Sequence, residues 1–242
     1  MGIGRWRECR HGERDKTLKE EAMSKLSDFT VSSPRPLPVI LLADVSGNMA
    51  ENGKIETLNA AVSEMIATFV EEEATRAEIQ VAIITFGGSA ARVHTPLKPA
   101  SEVKWENMAA SGRTPMGSAF TTVQQIIEDR QLIPGRAYRP TIVLISDGIP
   151  TDDWKTPLEL LLGSERASKA MRFAMGIGEE ADLVTLKTFL ADPSSKVFHA
   201  HEAREIKKFF RWLSMSVTSR SRSANPNNAV VVEPTDLDDF DF

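Results

Sequence analysis

A continuous run of apolar residues at positions 37–43 limits what this chain can fold into. A strand with one buried face alternates apolar and polar residues, whereas an unbroken apolar run is typical of a strand covered on both faces. Such strands occur in parallel sheets that have helices on both sides. The run therefore predicts an α/β fold in which residues 37–43 form a central strand.

The rest of the chain alternates between segments of strand and helix character. Apolar residues recur at helical spacing between Leu58 and Phe69, for example, and β-branched residues dominate positions 141–145. The predicted strands are 37–43, 79–86, 90–95, 141–145, 171–175 and 197–198, and the predicted helices are 58–69, 116–132, 157–167, 183–190 and 203–217. This alternation predicts one doubly wound, mostly parallel six-stranded sheet. The short third strand directly follows the second, which indicates a hairpin and hence one antiparallel edge strand.

The two ends of the chain differ in composition from the segment between them. We expect a loosely ordered leader at 1–33 with one short helix at 16–26, an α/β domain at 34–218, and a disordered acidic tail at 219–242. Met23 is an alternative start. Neither a secretory signal nor an apolar run of about 20 residues, which a membrane span needs, is present. Cys9 is the only cysteine, which fits a reducing cytoplasm.

The net charge of −5 is concentrated near the end of the chain. Residues 225–242 contain no Lys or Arg, and their acidic residues are Glu233, Asp236, Asp238, Asp239 and Asp241. The rest of the chain is therefore close to neutral, which argues against binding to nucleic acid and to anionic membranes.

Large apolar residues alternate with the acids of this terminal segment, namely Leu237, Phe240 and Phe242. A segment that only keeps the protein in solution would not need them, although disordered acidic ends often do no more than that. We expect the segment to bind a partner molecule rather than to cover the chain's own ligand site.

Polar residues with oxygen donors follow the predicted strands where ligands bind in such sheets, outside the carboxyl ends. Asp44, Ser46 and Asn48 alternate after the first strand, Asp147 follows the fourth, and Thr114 lies in the loop before a helix. Carboxylate, hydroxyl and amide oxygens together suit Mg²⁺ or Mn²⁺. Each of these motifs taken alone also has a purely structural explanation. Asp147 followed by glycine is typical of a turn, and Asp44-x-Ser46 is typical of a helix N-cap.

Three motifs together resemble the metal-ion-dependent adhesion site (MIDAS) of von Willebrand factor A domains. They are Asp44-x-Ser46-x-Asn48, Ser-Gly-Arg-Thr-Pro-Met-Gly at 111–117, and Ile-Ser-Asp-Gly-x-Pro-Thr-Asp at 145–152. Further segments are similar to the bacterial TerY-like branch: 138–140, 150–153, 176–182 and 209–214. The resemblance covers about 37–218 and implies a Rossmann-like fold.

The resemblance also implies a ligand set and a function. Ser46, Asn48 and Thr114 would coordinate the cation, while Asp44 and Asp147 would act largely through water. The under-neutralised cation would capture an Asp or Glu of a partner protein, so the domain would be an interaction module and not an enzyme. The TerY-like branch implies a role in bacterial tellurium or stress resistance, signalling or defence, with companion kinase and phosphatase proteins.

Two residues depart from the family pattern. Asn48 stands where a second serine is usual, and Arg113 stands where glycine is usual. Asparagine still offers an oxygen on a longer arm, and an arginine can pair with a nearby or partner carboxylate or oppose cation binding. A structural subunit with a degenerate, metal-free site is therefore one alternative.

Other motifs have simpler explanations. His199 and His201 have the spacing of a zinc pair but no nearby cysteine, so an ordinary strand-to-loop segment is favoured. The segment 176–178 lacks the third glycine of a dinucleotide-binding loop and is interpreted as a tight turn. A metal-dependent hydrolase is the second alternative, but His94 and the other two histidines lie outside the site loops, which leaves it without a general base.

Overall fold

The apolar run after Pro36 forms the central strand of a six-stranded sheet in the computed structural model, which describes residues 1, 34–72 and 77–228. Within these residues the strands are β1 (Arg35–Asp44), β2 (Ala77–Gly87), β3 (Ala90–Pro99), β4 (Thr141–Ser146), β5 (Met171–Ile177) and β6 (Phe198–Ala200). The α-helices are α1 (Lys54–Glu71), α2 (Met116–Glu128), α3 (Lys155–Gly163), α4 (Leu183–Leu190) and α5 (Ala203–Arg222). The helix predicted at 16–26 lies outside the described residues.

The strand order β3-β2-β1-β4-β5-β6 confirms the predicted fold class. All neighbouring strands are parallel except β3, which pairs with β2 in the antiparallel direction at one edge. The order reverses direction between β1 and β4, and crevices for ligands form at such a point, outside the carboxyl ends. The fold thus brings the loops after β1 and β4 side by side.

Alternate residues of β1 face opposite layers of the core. Leu41 lies in the cluster formed with α1 and α5, and Leu42 lies in the cluster formed with α2 and α4. Both side chains are fully buried, as an unbroken apolar run requires. None of the described helices combines the length and hydropathy of a membrane-spanning segment.

Several elements end at other residues than the sequence predicts. Strand β3 continues to Pro99 instead of residue 95, because an edge strand tolerates proline on its unpaired side. Helix α2 ends at Glu128, and α3 spans Lys155–Gly163 with a separate 3₁₀ turn at Ala167–Lys169. Helix α5 runs to Arg222, so a disordered tail from 219 is wrong for its first residues.

A buried arginine explains the length of α5. Arg220 is 1% exposed, and its guanidinium donates to Thr141 Oγ1 (2.5 Å), Pro226 O (3.0 Å) and Arg139 O (3.1 Å). Burial, with a smaller contribution from the positive charge of Arg139, lowers the pKa of Arg220 to about 10. The side chain is therefore charged at neutral pH, and it fixes the end of α5 at the amino end of β4.

Replacing Arg220 with methionine is expected to lower the free energy of unfolding by about 3 kcal/mol, because three acceptors, two of them in buried contacts, lose a charged donor. For a chain of this size that corresponds to a melting temperature lower by roughly 6–12 °C. Arg211→Met, at an exposed position of the same helix, is the matched control and should change little. Equal melting temperatures for the two variants in a thermal unfolding experiment would contradict the anchoring role.

Candidate metal centre

Backbone hydrogen bonds join the three loops at the carboxyl end of the sheet. Ser111 N–H donates to Val45 O (2.7 Å), and Gly47 N–H donates to Gly112 O (2.9 Å). Gly88, after β2, donates its N–H to Ser111 O (2.9 Å). The loop after β1 and the loop before α2 are therefore held against each other without any contribution from side chains.

Two glycines make this close approach possible. Gly112 has φ +75°, and a Cβ there would lie 2.4 Å from the Cα of Gly88. A Cβ at Gly87 would lie 2.6 Å from the carbonyl oxygen of Val45. Real Cβ atoms do not tolerate such distances, so larger residues at these positions would separate the loops.

The amino end of α2 is locked to the loop that follows β4. The Asp152 carboxylate accepts hydrogen bonds from the N–H groups of Gly117 and Ser118, each at 2.9 Å. These are free donors of the first helical turn, which a carboxylate from elsewhere in the chain caps favourably. A Cβ at Gly117 would lie 2.0 Å from Asp153 O, so this contact also requires glycine.

Asp44 ends β1 with a carboxyl group that is 0% exposed. Its Oδ1 accepts a hydrogen bond from Ser46 N–H (2.8 Å), and its Oδ2 accepts one from the Ser146 hydroxyl (2.5 Å). Burial raises the pKa of Asp44 to about 6, against the lowering effect of these hydrogen bonds and with a small further increase from the charge of Asp147. The group is charged at neutral pH in a place that disfavours charge.

Asp147, directly after β4, is also 0% exposed. Its Oδ1 lies 3.5 Å from the Ser46 hydroxyl, and its Oδ2 pairs with the Lys54 ammonium at 2.7 Å. Sequence reasoning did not find Lys54, whose side chain is 17% exposed. The available signal was its position as the first residue of α1, where a cation is unfavourable next to the positive end of the helix dipole.

Thr114 is buried, and its backbone is hydrogen-bonded to Thr151 in the loop that follows β4 and Asp147. Its N–H donates to Thr151 Oγ1 (3.1 Å), and its carbonyl accepts from Thr151 N–H (2.9 Å). The Thr114 hydroxyl lies beside Gly148, at 3.7 Å from the point where a Cβ of that glycine would be. The structure therefore brings Thr114 to the same edge of the sheet as the two aspartates and Ser46.

Asn48 is placed differently from the other four predicted site residues. It is exposed in the 3₁₀ segment Gly47–Gly53, and its side-chain amide donates to Glu180 Oε2 (3.3 Å). Glu180 belongs to the loop after β5, which sequence reasoning did not connect with the site. Asn48 thus contacts an exposed acid on the rim rather than Asp44, Ser46, Thr114 or Asp147.

The donor set fits a small divalent cation. The two buried carboxylates share one neighbouring ammonium, that of Lys54, so one negative charge is left for another cation to neutralise. The nearby hydroxyls of Ser46 and Thr114 add neutral oxygens of the kind that Mg²⁺ and Mn²⁺ accept. Across the described ranges, no group of three His, Cys, Asp or Glu side chains is placed to hold a metal ion.

His94 and His199 contact backbone carbonyls away from this donor set. His199 Nε2 lies 2.7 Å from Gly178 O, and the rings of His199 and His201 are 4.0 Å apart. Gly178 has φ +78°, as a tight turn requires. His94 Nε2 lies 2.9 Å from Glu106 O.

The family model for the von Willebrand factor type A domain matches residues 39–149. Solved structures share the fold at low sequence identity. A von Willebrand factor type A protein from Catenulispora acidiphila is 18% identical with a TM-score of 0.59, and the match covers 77% of this chain and 43% of that one. The pilus adhesin SpaC of Lactobacillus rhamnosus GG, in its open conformation, is 11% identical with a TM-score of 0.61, over 78% of this chain and 30% of that one.

Proximal thread matrix protein 1 from the mussel byssus, described with a zinc-occupied MIDAS motif, is 14% identical with a TM-score of 0.55. The match covers 76% of this chain and 48% of that one, so this chain spans less than half the length of each of these structures. No curated protein sequence matches the chain significantly.

Proposed function

We propose that this chain is a protein-interaction module of the von Willebrand factor A type, whose family model matches residues 39–149, and that it binds a partner protein through a divalent cation. The observation that carries the proposal is the pair of fully buried carboxylates, Asp44 and Asp147, with Lys54 as the only cation paired with them in the described residues. Burying two carboxylates is unfavourable unless positive charge compensates them, and a divalent cation would supply the remainder.

The residues of the site would have two kinds of role, as direct ligands of the cation and as carboxylates that hold water. The hydroxyls of Ser46 and Thr114 would hold Mg²⁺ or Mn²⁺ together with the amide oxygen of Asn48, whose amide nitrogen donates to Glu180 in the structure. Asp44 and Asp147 would hold water and supply negative charge. When bound, the cation supplies a positive charge whose coordination an Asp or Glu of the partner completes.

The role we propose is binding without catalysis. The ring nitrogens of His94 and His199 contact backbone carbonyls, so neither of these histidines is poised as a general base beside Asp147. The resemblance of the sequence to the TerY-like branch supports a cytoplasmic role in a bacterial stress-resistance assembly of the tellurium type, in signalling or in defence. Companion kinase or phosphatase proteins are the partners that this resemblance suggests.

Addition of 10 mM MgCl₂ is expected to raise the melting temperature of the chain. For a dissociation constant on the order of 0.1 mM, ligand binding stabilises the folded state by about 2.7 kcal/mol, or roughly 5–10 °C. Thr114→Val removes one ligand oxygen but keeps the backbone hydrogen bonds of that residue, so the shift should disappear. Differential scanning fluorimetry measures this shift in melting temperature.

Thr68→Val is the matched control, because Thr68 is exposed on α1 and its hydroxyl bonds only to Glu64 O within its own helix. This variant should keep the full shift. A wild-type protein that shows no shift with millimolar Mg²⁺ or Mn²⁺ would favour the alternative of a metal-free structural subunit.

A further inference from the structure

The cation site is bordered by the apolar Ile149, the cationic Arg113 and, beside Asn48, the acidic Glu180, and we call Ile149 and Arg113 the site rim. Ile149 is 69% exposed and lies two residues after Asp147. Arg113 is exposed directly before Thr114, and no carboxylate of the described residues forms an ion pair with it. Both line an open cleft of about 680 Å³ together with Ser46 and Thr114.

The site rim defines the chemistry of a matching ligand. An acid at the cation, a second acid opposite the Arg113 guanidinium and a large apolar side chain against Ile149 would satisfy all three features.

The chain's own sequence contains a segment of this composition, Asp-Leu-Asp-Asp-Phe-Asp-Phe at 236–242. Side chains two positions apart lie on the same side of an extended segment, about 7 Å from each other. Asp238 and Phe240 are such a pair, and Asp236, on the same side, would then be available to Arg113. The negative charge of the segment is also complementary to a cation and a guanidinium.

The last described residues lie at the opposite end of the sheet from the cation site. The side chain of Asn227 accepts a hydrogen bond from Arg139 N–H (2.9 Å), two residues before β4 begins. From Arg139 to Asp147 the straight path along β4 is about 26 Å, and any path over the surface is longer. For comparison, a random-coil chain of about 13 residues has a typical end-to-end distance of about 20 Å.

We propose that the site rim and cation site of one copy bind the segment 236–242 of a second copy, with an aspartate at the cation and Phe240 against Ile149. This inference rests on the proposed function, since the aspartate completes the coordination of the cation. It names the partner as another molecule of the same chain.

Sedimentation velocity of the full chain with 5 mM MgCl₂ tests the proposal. The mean mass should rise with protein concentration, and EDTA should return it to that of the monomer. Replacing the four aspartates 236, 238, 239 and 241 with asparagine, or Phe240 with serine, should weaken association at least tenfold. Ile149→Ser should do the same from the other side of the contact, whereas Leu160→Ser, at an exposed apolar position on α3, should not.

Calorimetric titration of dilute protein with Mg²⁺ separates this inference from the proposed function. If Mg²⁺ binds but association persists in EDTA, or is unchanged in the tail variants, the inference is overturned and the cation site stands. A higher Mg²⁺ affinity after deletion of 233–242 would show that the segment competes for its own site and would also overturn it. If Mg²⁺ does not bind at all, the proposed function fails first.

Discussion

Replacing Lys54 with methionine should make the metal-free protein less stable and raise its affinity for Mg²⁺. The ammonium of Lys54 is the cation paired with the fully buried Asp147 carboxylate. Without it, the carboxylate is left buried and unpaired, which lowers the free energy of unfolding by about 2–3 kcal/mol given the partial exposure of the lysine. The same change removes a positive charge that repels an incoming divalent cation.

The two effects are linked, because a bound cation compensates the carboxylate that the substitution leaves unpaired. We expect the dissociation constant for Mg²⁺ to fall about tenfold, which corresponds to about 1.4 kcal/mol. Isothermal titration calorimetry and thermal unfolding in EDTA measure the two quantities. Lys169→Met is the control, since Lys169 is exposed and precedes the amino end of β5, at the opposite end of the sheet. An Mg²⁺ affinity equal to that of the wild type would mean that Lys54 and the cation do not share Asp147.

Replacing Asp44 with asparagine should have the reverse pattern, a more stable metal-free protein without any response to Mg²⁺. Asparagine can accept from Ser46 N–H and can donate to the Ser146 hydroxyl, so both contacts of the buried side chain have replacements. The substitution removes a buried charge, which at pH 7.5 should raise the free energy of unfolding by roughly 3 kcal/mol. It also removes one of the two carboxylates of the cation site.

The pH dependence of the stability of the metal-free protein is an independent measure of the cost of burying the Asp44 charge. Burial raises the pKa of Asp44 from its ordinary value of 3.8 to about 6, so between these values the folded chain binds more protons than the unfolded chain. This group therefore makes the wild type lose stability as pH rises from about 4 to about 6. The asparagine variant should lack that loss, whereas Glu159→Gln, at an exposed position on α3, should retain it. Parallel pH profiles for Asp44→Asn and the wild type would contradict the assignment.

The sequence predicts the central strands of the sheet well, because burial on both faces directly restricts which residue types they contain. A strand covered on both faces must be apolar throughout, and β1, β2 and β4 follow that rule closely. The edges are predicted less well, because an exposed strand such as β3 needs neither an apolar run nor the exclusion of proline. The end of α5 was missed because a buried arginine determines it, and arginine is rarely found in a core.

Within the candidate site, the predictable residues are those at a fixed offset from the end of a strand. Asp44 and Asp147 follow β1 and β4 directly, so topology alone brings them together. The partner of Asp147 is 93 residues away at the start of a helix, and no periodicity connects the two. The contact of Asn48 with Glu180 depends likewise on how two loops approach each other, which local sequence does not encode.

The anchoring of Arg220 and Asn227 at the amino ends of the strands also determines what kind of assembly the chain could build. With the cation site at one end of the sheet and the root of the terminal segment at the other, a contact between them uses two different surfaces. Such a heterologous interface leaves a free donor and a free acceptor after every addition, whereas an isologous dimer leaves neither. Association through this contact should therefore continue past the dimer into head-to-tail rows or rings, whose length would be set by protein and Mg²⁺ concentration.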